Sequence, residues 1–296
     1  MTAHAATPHK TFSPARVTAL ASNTVLELFR LKIFYFLLLF GMGAMGCSLF
    51  FVNLTFQGQF QMLKDVCLGA MSIFTWLLAI LPTAMLLPKD IEDRTLYTIL
   101  AKPVPRFEYL LGKLLGILVL LAIATLLMSL LFAGILYGHL QSAIADTIRH
   151  TQPDALDAAI KELRDSAFNI NLVPGILLIF IKASLCASLT LMISTFSTSW
   201  IFTVIISVTA YFIGSVQGLA RAVWQEHSTS MSVLNSYFLE AISIFFPDLQ
   251  IFNLVDDIVV GTAVPLMIFL KAAALGLGYT SLYLIIAYIM FAWKEL

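Results

Sequence analysis

The sequence predicts an all-α, polytopic membrane protein, and three observations point to it. Hydrophobic residues make up 60% of the 296 residues and charged residues only 11%, against about 25% charged in soluble domains. The apolar residues gather into runs of about 20 or more, the length at which a helix crosses a hydrocarbon core of about 30 Å. Between two such runs lies a polar tract, Pro88 to Lys113, in which Lys89, Arg94, Lys102, Arg106 and Lys113 alternate with Asp90, Glu92, Asp93 and Glu108. A tract so charged is expected in water. Runs of this length are helices rather than barrel strands, because a lipid-embedded backbone must satisfy its hydrogen bonds internally.

Taken in order, residues 1–15 show no periodicity and read as a disordered tail. A single transmembrane domain, 16–296, follows. It begins with an interfacial helix over 16–30, in which Val17, Leu20, Ala21, Thr24 and Leu28 share one face and Arg16, Asn23, Glu27 and Arg30 lie mostly on the other. Such a helix lies along the membrane surface before the chain turns inward. Six spans are expected at about 31–52, 67–87, 114–137, 173–196, 200–216 and 264–291, with the fourth and fifth joined by a tight hairpin at Ser197 to Ser199. The stretch 88–113 is a loop containing a short helix from Asp90 to Ala101 and a proline-stiffened link from Pro103. The outer loops are 138–172 and 217–263. In the first, Thr151 and Asp154 precede an apolar stripe of Leu156, Ala159, Ile160 and Leu163, an amphipathic helix. In the second, the marginally apolar run 233–246 is interfacial or re-entrant, being too short for a crossing.

An even number of spans puts both termini on one side. With that side inside, the inner segments hold Lys10, Arg16, Arg30, Lys32, Lys89, Arg94, Lys102, Arg106, Lys113 and Lys294, ten basic residues against five outside. Both termini are therefore expected to be cytoplasmic. Cys47, Cys67 and Cys186 lack CxxC spacing and imply neither a disulfide framework nor a zinc site. Gly112 and Lys113 form a GK pair, but Leu114 replaces Ser or Thr and the upstream glycine is missing, so ATP is not expected to be hydrolysed by this chain. HExxH, GxSxG and clustered His and Cys are absent from the sequence. No catalytic residue, metal, cofactor or nucleic-acid partner is expected.

Charge inside a span is the remaining signal. Lys182 falls near the middle of the fourth span, where an ionised side chain costs about 3 kcal/mol to insert. Together with Ser184 and Ser188 it marks a candidate translocation path, although close helix packing also explains the small residues of this span. Lys271, nearer a helix end, is placed to snorkel.

The run IEDRTLYTILAKPVPRFEYLLGKLLG, Ile91 to Gly116, resembles the loop between the second and third spans of ABC-2 type transporter permeases. ALASNTVLELFRLKIF, with Glu27 and Arg30, and FPDLQIFNLVDDIV, with Pro247, Asp248, Phe252 and Asp256, agree with it, as does the closing Trp293, Lys294, Glu295. The likeness is greatest to permeases associated with multi-copper enzyme maturation. It implies a six-span half-transporter of a bacterial inner membrane, an exporter that pairs with a second permease subunit, a copy of itself, and with two copies of a separate ATPase subunit. It further implies that the interfacial helix and the first cytoplasmic loop touch the ATPase through Glu27, Arg30, Asp90, Glu92, Arg94, Thr95, Leu96, Tyr97, Leu100, Lys102, Pro103 and Arg106. The residue pattern agrees, since Asp90 to Ala101 carries apolar residues on more than one face and calls for a partner. Two other readings stay open: an ion-coupled secondary transporter built on Lys182 and Lys271, and a membrane scaffold or signalling subunit that transports nothing.

Overall fold

The structure is a computed structural model that describes residues 12–52, 58–92, 105–150, 153–169, 171–226, 245–253 and 265–293. Its elements are α1 (Pro14–Phe29), α2 (Lys32–Val52), α3 (Gln59–Glu92), α4 (Arg106–His150), α5 (Pro153–Ala167), α6 (Leu172–Phe196), α7 (Trp200–Glu226), a 3-10 turn (Leu249–Phe252) and α8 (Leu266–Trp293). There is no strand among the described residues. Six helices, α2, α3, α4, α6, α7 and α8, are long and apolar enough to cross a membrane, the mark of an integral membrane protein.

The centre of the bundle is α6, packed against α3 and α8 with α4 and α7 beside it. Its last three turns are almost wholly buried, from Ala183 through Thr195. The outer helices instead expose their apolar side chains, among them Phe36, Leu39 and Phe50 on α2 and Leu266, Met267 and Leu270 on α8. In water that surface would be untenable; in lipid it is expected.

Several helices outrun the spans read from the sequence. α3 begins at Gln59 and ends at Glu92, so the expected loop opening at Pro88 starts as helix. α4 runs for 45 residues, about 67 Å, more than twice a hydrocarbon thickness. The outer loop expected from residue 138 is therefore helix as far as His150. Hydropathy falls in GHLQSAIADTIRH, but no helix breaker follows Gly138, and Leu140 and Ile144 continue an apolar stripe. That stripe packs with Leu163 and Ala167 of α5 in a cluster of its own. α5 is tied to the bundle at its end, where buried Lys64 of α3 donates to the Ser166 carbonyl at 2.6 Å. A helix C-terminus favours a cation there. α7 likewise continues to Glu226, ten residues beyond the expected end of its span at 216.

At the other end of the bundle, α1 closes at Phe29 with backbone bonds Arg30 N to Glu27 O and Leu31 N to Leu28 O, and α2 starts at Lys32. α1 is thus a separate element and not a continuation of α2. The face expected to be apolar is the one that packs: Val17, Thr24 and Leu28 are buried. It lies on the first turns of α4, where Gly112 and Gly116 leave no room for a side chain. A Cβ on Gly112 would sit 2.6 Å from the Leu20 Cβ, and one on Gly116 would sit 2.6 Å from the Thr24 Cβ.

The segment 245–253 breaks the helical pattern inside the bundle. Pro247 and Leu249 press on Gly214 of α7, Phe252 lies against Gly276 of α8, and the Tyr283 hydroxyl donates to the Phe245 carbonyl at 2.7 Å. Of the run expected to be interfacial or re-entrant, Val233 to Ile244 lies outside the described residues; Phe246 packs against the core of the bundle, whereas the Phe245 side chain is exposed. Tyr283→Phe is expected to cost about 1 kcal/mol by leaving the Phe245 carbonyl short of a donor, with faster amide exchange confined to 245–253 as the measurement.

Candidate functional site

Two sites stand out, one at each half of the bundle. The first is at the α1 end, where charged residues expected in water are instead buried and paired. Lys113, 3% exposed, immediately precedes the long apolar run of α4 that begins at Leu114. Its Nζ lies 2.9 Å from Glu27 Oε2 of α1 and 2.8 Å from Asp90 Oδ2 of α3. Tyr109, fully buried on the same face of α4, donates its hydroxyl to the same Asp90 oxygen. Its ring stacks on Phe291 of α8 at 5.9 Å between centroids. One ammonium thus joins three helices and, through Tyr109, a fourth.

Neighbouring pairs reinforce this junction. Glu108, 1% exposed, accepts two bonds from Arg16, from Nε at 2.7 Å and Nη2 at 2.9 Å, and a third from the Ser13 amide at 3.0 Å. The hydrogen bond to Glu108 raises the Arg16 guanidinium further above its ordinary value, opposed by desolvation, so Arg16 stays charged at every accessible pH. Arg106 donates to the last carbonyls of α8, Phe291 at 3.2 Å and Ala292 at 2.6 Å, as a cation at a helix C-terminus should.

These contacts revise the picture of a charged island in water. Asp90, Glu108 and Lys113 are inside because each finds an opposite charge, which offsets the desolvation that would otherwise exclude it. Arg106 to Lys113, expected as part of a stiff link, form the opening turns of α4. Of the residues assigned to an ATPase contact, Glu27, Asp90 and Arg106 engage the chain itself, whereas Arg30 and Glu92 are exposed at the ends of α1 and α3. Arg94, Thr95, Leu96, Tyr97, Leu100, Lys102 and Pro103 lie outside the described residues. The pairing has no local signature in the sequence: Lys113 stands in a charged tract expected as loop, and nothing in the sequence links it, Tyr109 or Glu108 to a partner on another helix.

The second site is a cavity of about 370 Å³ in the half of the bundle remote from α1, within the range of small-molecule sites. Asp65, Gly69, Ser72 and Ile73 line it from α3, Tyr211 and Ser215 from α7, and Leu249, Gln250 and Asn253 from the 3-10 turn. Lys182 of α6 also lines it. The Lys182 ammonium sits 5.3 Å from the centre of the Tyr211 ring, which itself stacks on Trp76 at 4.3 Å and 12°. Gln250 Nε2 donates to the Ser215 carbonyl at 2.9 Å, fixing the turn to α7.

Among the described residues no carboxylate comes within ion-pairing distance of Lys182. A cation over an aromatic ring recovers about 0.5–2 kcal/mol, less than the cost of inserting the charge. Ser184 and Ser188, grouped with Lys182 in the sequence, are buried away from it, and their hydroxyls bond back to the Phe180 and Leu185 carbonyls at 2.8 Å each. Lys271 is exposed on α8. Asp65, Tyr211, Ser215, Gln250 and Asn253 were not singled out from sequence, and only their convergence from three elements marks them.

No protein-family model matches this chain, and no curated protein sequence matches it either.

Proposed function

We propose that this chain is the membrane-spanning subunit of an ABC-2 type exporter, powered by a separate ATPase, with α1 and the 93–104 segment on the cytoplasmic side. The observation that carries the reading is the Lys113 junction. A push from a partner on α1, or on the segment joining α3 to α4, reaches α1, α3, α4 and α8 together, because one buried ammonium and its aromatic neighbour hold all four. Interdigitated charge pairs of this kind resist sliding better than apolar contacts do, since separation exposes unpaired charge. The cavity around Lys182 would then be the place where cargo is held, and a second copy of the chain would complete the transporter.

Purification of the intact complex from its native membrane tests the reading. An ATPase subunit bearing a phosphate-binding loop is expected to accompany the chain. Leu96→Asp/Tyr97→Asp/Leu100→Asp is expected to lower its recovery at least tenfold while leaving the chain in the membrane at normal abundance. Recovery of the whole complex with no such ATPase would sink the proposal.

One observation favours a second reading. A non-helical segment at 245–253, lining a cavity with Lys182, is a feature of ion-coupled secondary transporters as well. In that case uptake into reconstituted vesicles would follow an imposed ion gradient without ATP.

A further inference from the structure

We propose that the Lys182 cavity is a headgroup site for a zwitterionic amphiphile, whose anionic group sits on Lys182 and whose cationic group faces Asp65. Among the described residues its wall carries one cation and one carboxylate, and these lie at different depths. Asp65, exposed, and Ser72 are two turns apart on α3, about 10 Å along the axis. Lys182 is at the inner end, because it covers the Tyr211 ring and that ring stacks on Trp76, a turn further along α3 than Ser72. Neither charged group has an ion-pair partner among the described residues. A ligand with an inner negative and an outer positive group satisfies both; a simple anion would meet Asp65 with repulsion.

The ligand is assigned an apolar tail because the cavity borders exposed apolar surface. Ile73 lines the cavity and is 51% exposed, and Phe212 and Val216, beside Tyr211 and Ser215 on α7, are 57% and 53% exposed. A chain leaving the headgroup can run along these side chains without crossing a polar barrier. A phospholipid entering from that half of the bilayer has the same order of groups, tail and phosphate deeper, ammonium nearer the surface. That this ligand is cargo rests on the transport reading above; that it binds does not.

Native mass spectrometry of the purified full chain decides the matter, with phosphatidylethanolamine, phosphatidylglycerol and tail-less glycerophosphoethanolamine titrated separately. One phosphatidylethanolamine per chain is expected, retained at concentrations at least tenfold below those needed for either of the others. Lys182→Met is expected to weaken retention at least tenfold, and Asp65→Asn to abolish the preference over phosphatidylglycerol. Gly69→Leu supplies an independent steric block: an added Cβ at Gly69 meets no atom within 4 Å, so the side chain fills the cavity while the unfolding midpoint stays within a few degrees. Equal retention by wild type, Lys182→Met and Gly69→Leu would overturn the site. Binding of glycerophosphoethanolamine as tight as that of the lipid would overturn the amphiphile and leave a soluble zwitterion. Because no ATPase takes part, failure here leaves the exporter reading intact, and absence of an ATPase partner leaves the binding result intact.

Discussion

Lys113→Met is expected to destabilise the protein by about 3–5 kcal/mol, the cost of removing one partner from a buried ion pair. The substitution nearly conserves volume, so packing is not the cause. What it removes is the ammonium between Glu27 Oε2 at 2.9 Å and Asp90 Oδ2 at 2.8 Å. Asp90, 7% exposed, would lose its buried ammonium, would still accept from Tyr109, and would face Glu27, a like charge. The triple variant Glu27→Gln/Asp90→Asn/Lys113→Met is expected to recover more than half of the loss, because replacing all charged members of a buried group leaves no unpaired charge. Unfolding in detergent micelles, followed by helical signal against denaturant, measures both. If Lys113→Met lies within 1 kcal/mol of wild type, the junction is not a structural hub. A triple variant as unstable as the single one would show that the geometry, not the charge, was lost.

How much of this junction was legible in the sequence depends on the length scale of the signal. The apolar stripe of α1 is local, repeats at helical spacing, and was read with the residues that pack. The charges of 88–113 were visible too, but their destination was not. Glu27 and Lys113 are 86 positions apart, and no local pattern says that an acidic residue on one helix meets a basic residue on another. Gly112 belongs to a GK pair that makes no phosphate-binding motif, and Gly116 carries no local signal; their role appears only when α1 lies across them. Helix ends failed for a different reason. Hydropathy marks where lipid stops, whereas helix continues as long as propensity and a packing stripe allow, as from Gly138 to His150. Lys182 was legible as a charge at membrane depth. Its surroundings were not, because α3, α7 and the 3-10 turn each supply only a few residues to the cavity wall, and the two serines nearest to it in sequence point elsewhere.

Gly116→Ala should destabilise the protein by about 2–3 kcal/mol, the upper part of the range for overpacking a tight contact, although the same change in an open helix would be favourable by about 1 kcal/mol. The sign is decided by α1. A Cβ at Gly116 would lie 2.6 Å from the Thr24 Cβ and 2.9 Å from the Ala21 carbonyl oxygen. The first clash is at the rigid root of a β-branched side chain and the second is with backbone, so neither yields by a rotamer change. α1 must move away from α4 as a unit. That motion pulls Glu27 from Lys113 and uncovers Val17 and Leu28, now 4% and 0% exposed. Gly134 provides the control on the same helix, since a Cβ there meets nothing within 4 Å; Gly134→Ala should stabilise by roughly 0.5–1 kcal/mol. Limited proteolysis adds a structural readout, with cleavage within α1 expected to accelerate in Gly116→Ala and not in Gly134→Ala. Opposite signs for two identical substitutions on one helix would locate the difference in the α1 contact. If both stabilise, α1 is not held against α4 in the membrane, and the junction could not carry force from the interfacial helix to the spans.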